Sequence, residues 1–232
     1  MKKYQKTVND SPINTKIIET INKRPEIFTL VSYNGGYFGN LVYRAIASDD
    51  RYIWNKELSR SLEDLKPLEW PKTTEGFDIY RILDNYEHFE ENHATTVHTG
   101  WLVLENMKSV KDLLMYYKSG KELVIKSHNK NTYKDIKCKT IRIYGNIPEL
   151  LSMAPNLRFR WNTKEPIEPV SASHVYNLNI NSFMSDNYDE FLDEYLRLCN
   201  FLDILPNINN LRAFILLHKE RLKRFEQRNF TD

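Results

Sequence analysis

"FTLVSYNGGYFGNLVYRAIAS", residues 28–48, is the stretch on which the fold turns. An apolar, β-branched run predicts a strand over 26–33. Gly35, Gly36 and Gly39 then crowd into five positions of a chain that holds only seven glycines. Helical spacing follows over 40–48, with Leu41, Tyr43–Arg44 and Ala45–Ile46 on successive turns. A strand, a glycine-rich turn and a helix start can aim several backbone N–H groups at one anion, and the helix dipole adds to the attraction. Asn34, Gly35, Gly36, Tyr37, Phe38 and Gly39 would form that cradle, with Asn40 either capping the helix or bonding a phosphate oxygen. The nearest cation is Arg44. The lysine and hydroxyl of G-x-x-x-x-G-K-[ST] are missing, which argues against Mg-dependent nucleotide hydrolysis. On local sequence, an anion cradle and a plain βα turn both stand.

The rest of the chain extends the strand–helix alternation. Helices are predicted over 14–23, 55–65, 76–94, 109–120 and 148–154, and strands over 121–128 and 137–145. The stretch 97–105 reads as a strand or its approach. Near the end, "SDNYDEFLDEYLRLCNFLDIL" carries Tyr188, Phe191, Leu192, Tyr195, Leu198 and Leu202 on one face, with acids at its start. "NNLRAFILLHKERLKRFEQR" then forms a last helix with a basic end, which suits the dipole and can also meet a phosphate. Strands separated by helices define an α/β class with a central, mainly parallel sheet and a helical C-terminus. We read 1–232 as one α/β domain: a lead-in to 25, a sheet core over 26–175 and C-terminal helices over 176–232.

Composition narrows the classes. Thirty-three basic and thirty-one acidic residues leave a net charge of +2, so there is no bulk electrostatic case for a nucleic-acid partner. Fourteen Tyr, eleven Phe and four Trp argue against a disordered chain. Cys138 and Cys199 lie in no C-x-x-C pair and are expected in the core as small apolar groups. The first dozen residues lack the apolar run of a signal peptide, and no stretch is long and apolar enough to span a membrane. A cytoplasmic, reducing setting without membrane attachment is expected. His88, His93 and His98 recur every five residues, but on a helix such positions sit about 140° apart, so no metal site is expected. "NLRFRWN" (156–162) sets Arg158 and Arg160 on one face, as either a solvated edge strand or a cationic wall.

A second constellation lies at 126–128. Lys126, Ser127 and His128 end a predicted strand, and ligands bind at the carboxyl ends of strands in open parallel sheets. Histidine can serve as a general base near neutral pH. Lys126, two residues before it, points to the same side and can stabilise developing negative charge. On local sequence, a solvent-facing K-S-H at the strand end stands beside that reading and is slightly favoured.

The order of these pieces resembles the P-loop sulfotransferases: a glycine-bearing strand–loop–helix first, a mid-chain strand ending K-S-H, then "KTIRIYGNIPELLSM", and a late helix followed by a basic one. The likeness covers roughly residues 26–48, 121–153 and 188–224. It implies transfer of a sulfuryl group from 3′-phosphoadenosine 5′-phosphosulfate (PAPS) to a hydroxyl on a small molecule or carbohydrate, without a metal. By position, His128 would be the base and Lys126 its cationic neighbour. Residues 34–41, Asn34 to Leu41, would hold the 5′-phosphosulfate, and Gly145–Met153 would form the 3′-phosphate turn.

The chain departs from that pattern in its loop, which has no Lys or adjacent Ser/Thr, and at Gly145, where the family carries Arg. Arg142 lies three residues earlier and Ser152 one position from the expected serine. Arg44, Arg142, Arg158 or Arg160 would have to compensate for the missing cations. A protein that keeps the fold without the chemistry is the second reading. A P-loop kinase, which lacks its Lys-Ser/Thr pair here, is the third.

Overall fold

The computed structural model describes residues 13–33, 39–47, 49, 51–52, 103–114, 121–146 and 168–209, with positions 211, 212, 215, 216 and 219 beyond them. Among the described residues the central element is a four-stranded, wholly parallel sheet in the order β2-β1-β3-β4. Its strands are β1 (Phe28–Ser32), β2 (Leu123–Ser127), β3 (Lys139–Tyr144) and β4 (Val175–Asn179). The three strands predicted from β-branched runs are present with trimmed ends. β4 lies across the expected end of the sheet core at 175, so the sheet reaches into the region assigned to helices alone. The 97–105 stretch gives no strand among its described residues: Val103 makes one parallel bridge to Lys126, and a 3-10 turn follows at Leu104–Asn106.

Burial on both faces accounts for the parallel pairing. All five residues of β1 and of β2 are buried. Val31, Val124, Ile141, Ile143 and Leu178 form one face, covered by α2 (Gly39–Ala47), α4 (Ile180–Phe183) and α5 (Tyr188–Leu202). Phe28, Leu30, Leu123 and Ile125 form the other, covered by Ile17 and Ile21 of α1 (Thr15–Lys23) and Leu113 of α3 (Val110–Leu114).

The helices start where side chains satisfy free amides. Asn14 accepts from the Lys16 amide at 3.0 Å to begin α1, and Asn187 accepts from the Asp189 amide at 3.0 Å to begin α5. Asp112 accepts the amides of Lys108 and Ser109, each at 2.8 Å, ahead of α3. Cys138 and Cys199 are buried, as expected, and burial pushes their thiols up to about 12 and about 11. Among the described residues no helix is long and apolar enough to cross a membrane. The predicted helices over 55–65, 76–94 and 148–154, the three histidines at 88–98 and the 156–162 run lie outside the described residues.

Candidate active site at the carboxyl ends of the strands

Strand order reverses at β1: the chain pairs β2 on one side of it and then crosses to β3 on the other. The crevice beyond the carboxyl ends at such a reversal is where open α/β sheets take ligands. Tyr33, His128 and Gly145 follow β1, β2 and β3 directly, so the topology gathers these chain ends at one rim.

Alternation along β2 places Lys126 and His128 on the α2 face with Val124, and Ser127 on the opposite one. Lys126 is 1% exposed, and its ammonium lies 4.7 Å from the centre of the Tyr43 ring of α2, a cation–π contact that favours a buried charge. His128 meets Tyr33 edge to face, with ring centres 5.0 Å apart. Its Nδ1 is buried and has no hydrogen-bond partner among the described residues. Burial, and then the charge of Lys126, pull the imidazole down to about 4. The ring is therefore neutral at physiological pH, and its affinity for a proton is weakened. Gly39, the first residue of α2, sits against the Tyr33 ring, and a Cβ there would overlap it. The glycine thus lets the helix start close over the aromatic that supports His128.

Behind β2, on the other face, lies a polar knot. Glu105 accepts from the Ser127 hydroxyl and, at 3.2 Å, from the Asn129 amide. The Ser127 hydroxyl also lies 2.6 Å from that of Thr132, and the Ser32 hydroxyl donates to the Asn129 carbonyl at 2.9 Å. Burial raises the proton affinity of Glu105 against these hydrogen bonds. Sequence reading missed Glu105; its one signal was an acid set inside the apolar run "WLVLENM".

The expected site residues divide. His128 and Lys126 converge with the start of α2. Arg142 points the other way, among the groups behind the sheet: its guanidinium donates to the carbonyls of Lys130, at 3.3 Å, and Glu168, and lies 5.5 Å from the Tyr133 ring centre. Leu41 packs into the core of the α2 face. Asn34, Gly35, Gly36, Tyr37, Phe38 and Ser152 lie outside the described residues, as do the side chains of Asn40 and Arg44. At Gly145, where the family pattern calls for Arg, a Cβ would overlap the Asn181 Oδ1 and come within 2.6 Å of Ile180 Cγ2. Asn181 Nδ2 is buried without a partner among the described residues. Groups of three or more residues able to hold a metal ion are absent among the described residues.

The described residues form a parallel α/β sheet, with a histidine and a buried lysine at the end of β2. Comparison with family models, curated proteins and solved structures gives no match.

Proposed function

We propose that the chain is a sulfotransferase-like enzyme that moves a sulfuryl group from PAPS to a hydroxyl acceptor, with His128 as the base. The observation that supports this reading most is geometric: an imidazole whose Nδ1 has no partner among the described residues lies on the same strand face as a buried lysine. His128 takes the proton of the acceptor hydroxyl at a ring nitrogen. Lys126, held against Tyr43, supplies positive charge where negative charge develops. Gly39 lets the first turn of α2 approach the same point and contribute its N-terminal dipole. Bound PAPS would supply an activated sulfuryl group on a leaving group already stable as an anion.

The fit to that donor is uneven. The Lys126 and α2 side suits a 5′-phosphosulfate. On the β3 side Gly145 has no room for a side chain, and Arg142 is engaged with backbone carbonyls on the opposite face. That closure is the specific observation favouring the second reading, a protein that keeps the fold and binds or scaffolds without transfer. Absence of one charge-assisted hydrogen bond to a phosphate costs ~1.5–3 kcal/mol.

Titration calorimetry with adenosine 3′,5′-bisphosphate separates the two. Heat of binding at millimolar ligand or below is expected of the enzyme, and no binding in that range sinks it. With binding established, His128→Ala should keep the ligand and lose transfer to the acceptor; unchanged turnover would remove His128 from the mechanism. Binding of ATP with Mg in place of the bisphosphate would move the assignment to a kinase.

A further inference from the structure

The turn after β2 is held from several sides at once. The Tyr33 amide donates to the Ser127 carbonyl at 3.0 Å, the Asn129 amide to the Ser127 hydroxyl at 3.0 Å, and the Thr132 hydroxyl to the Asn129 carbonyl at 2.9 Å. Glu105 is the common acceptor behind this turn. Its Oε1 takes the Ser127 hydroxyl and the Asn129 amide, which flank His128 on both sides, and the His128 amide adds to the hold. Glu105 is itself set in place by Val103, two residues before it, which bridges to Lys126. One three-residue segment therefore grips the strand at the lysine and the turn at the histidine.

We propose that Glu105 is the positioning residue for His128: its carboxylate fixes residues 127–129 and so holds the imidazole against Tyr33. The proposal rests on the reading of His128 as the base. A purely structural role is a poor account of a carboxylate here. The second oxygen, Oε2, is buried with no partner among the described residues, which is a cost. What the carboxylate gains in return is several donors drawn from one short turn, all beside the histidine.

The test is nuclear magnetic resonance of the His128 imidazole in the full chain. In the native protein the ring current of Tyr33 displaces the ring-proton signals of His128, and burial depresses its titration. Glu105→Ala should move those signals toward free histidine and raise the titration midpoint toward the ordinary value. Glu105→Gln, which keeps an acceptor oxygen at the same reach, should restore the native signals. A folded Glu105→Ala protein with unchanged His128 signals overturns the proposal. If Glu105→Ala fails to fold, Glu105→Asp, one methylene shorter, is read in the same way, and unmoved signals there overturn it equally. The bisphosphate titration of the native chain is independent of this result. Failed nucleotide binding with a displaced imidazole in Glu105→Ala refutes the enzyme and leaves the positioning intact.

Discussion

The side-chain oxygen of Asn181 accepts the Asn146 amide at 2.6 Å and occupies the space that a Cβ on Gly145 would need. The two residues therefore form one lock between the end of β3 and the start of α4. Gly145→Ala should destabilise the protein by ~1–3 kcal/mol through overpacking. Asn181→Ala in the same chain should recover part of that loss, because the blocking oxygen is gone while Ile180 remains. Urea unfolding of both single variants and the double variant measures the coupling, which should exceed ~0.5 kcal/mol. Additive losses would show that the two positions do not share space.

The imidazole of His128 makes stability depend on pH. Its native value is lowered to about 4 by burial first and Lys126 second, against about 6.5 in an unfolded chain. Between those values the unfolded state binds the extra proton. Stability is therefore fully present above about pH 6.5 and falls as pH drops toward 4, by roughly 2–3 kcal/mol. Burial raises the carboxyls of Glu105 and Glu194, and those act with the opposite sign. The comparison must accordingly be native against His128→Asn. Urea midpoints at about pH 7.5 and about pH 5 should converge in the variant; an equal fall in both proteins would contradict the assignment.

Glu194 of α5 closes the far end of β4. It is 3% exposed and accepts from the Tyr176 hydroxyl at 2.9 Å, the Asn179 amide at 3.1 Å and Arg197 at 3.0 Å. Glu194→Ala strips the acceptor from a hydroxyl and an amide and should cost ~2–4 kcal/mol, with Glu194→Gln costing about half as much. Denaturant midpoints for the two variants check the ranking. Equal losses would show that the charge, and not the hydrogen bonds, holds the element.

Asp203 ends α5 in the left-handed region, at φ 61°. A side chain there costs ~1 kcal/mol relative to glycine. Its ion pair with Arg51, at 3.1 Å, involves an Asp203 side chain that is 85% exposed and so adds little. Asp203→Gly should raise stability by about 0.5 kcal/mol, whereas Asp203→Ala should lower it by about 1 kcal/mol. Thermal midpoints moving in opposite directions are the expected result; a loss in both would assign the position to the Arg51 contact instead.

The legible parts of the sequence were those in which one kind of residue repeats. β1, β2 and β3 are dense in Val, Ile, Leu and Thr, and buried on both faces, so their runs stand out. The α5 stripe of Phe191, Tyr195, Leu198 and Leu202 is equally plain, and all four are buried. β4 was hidden because "VYNLN" alternates with asparagines that do structural work. Asn177 exchanges two hydrogen bonds with the backbone of Val170, at 2.7 and 2.9 Å, and Asn179 caps α4 by accepting the Asn181 amide at 3.1 Å. In the site, strand periodicity was enough to put Lys126 and His128 on one face. It could not reveal Glu105, which meets Ser127 across 22 positions, or the closure of Gly145 by a residue 36 positions later. Both are tertiary contacts with no local pattern. The face taken by Arg142 did follow from the same alternation as its neighbours Ile141 and Ile143, once β3 was placed in the sheet.

The position of β1 between β2 and β3 has a consequence for synthesis. β1 is made first, yet its partners begin at Leu123 and Lys139. At ~5–20 residues per second, about ninety residues must be added after Ser32 before the first of them leaves the ribosome, a wait of roughly 5–20 s. During that time a strand buried on both faces in the finished molecule has neither neighbour. A nascent chain arrested before β2 is therefore the form of this protein that should bind chaperones most strongly.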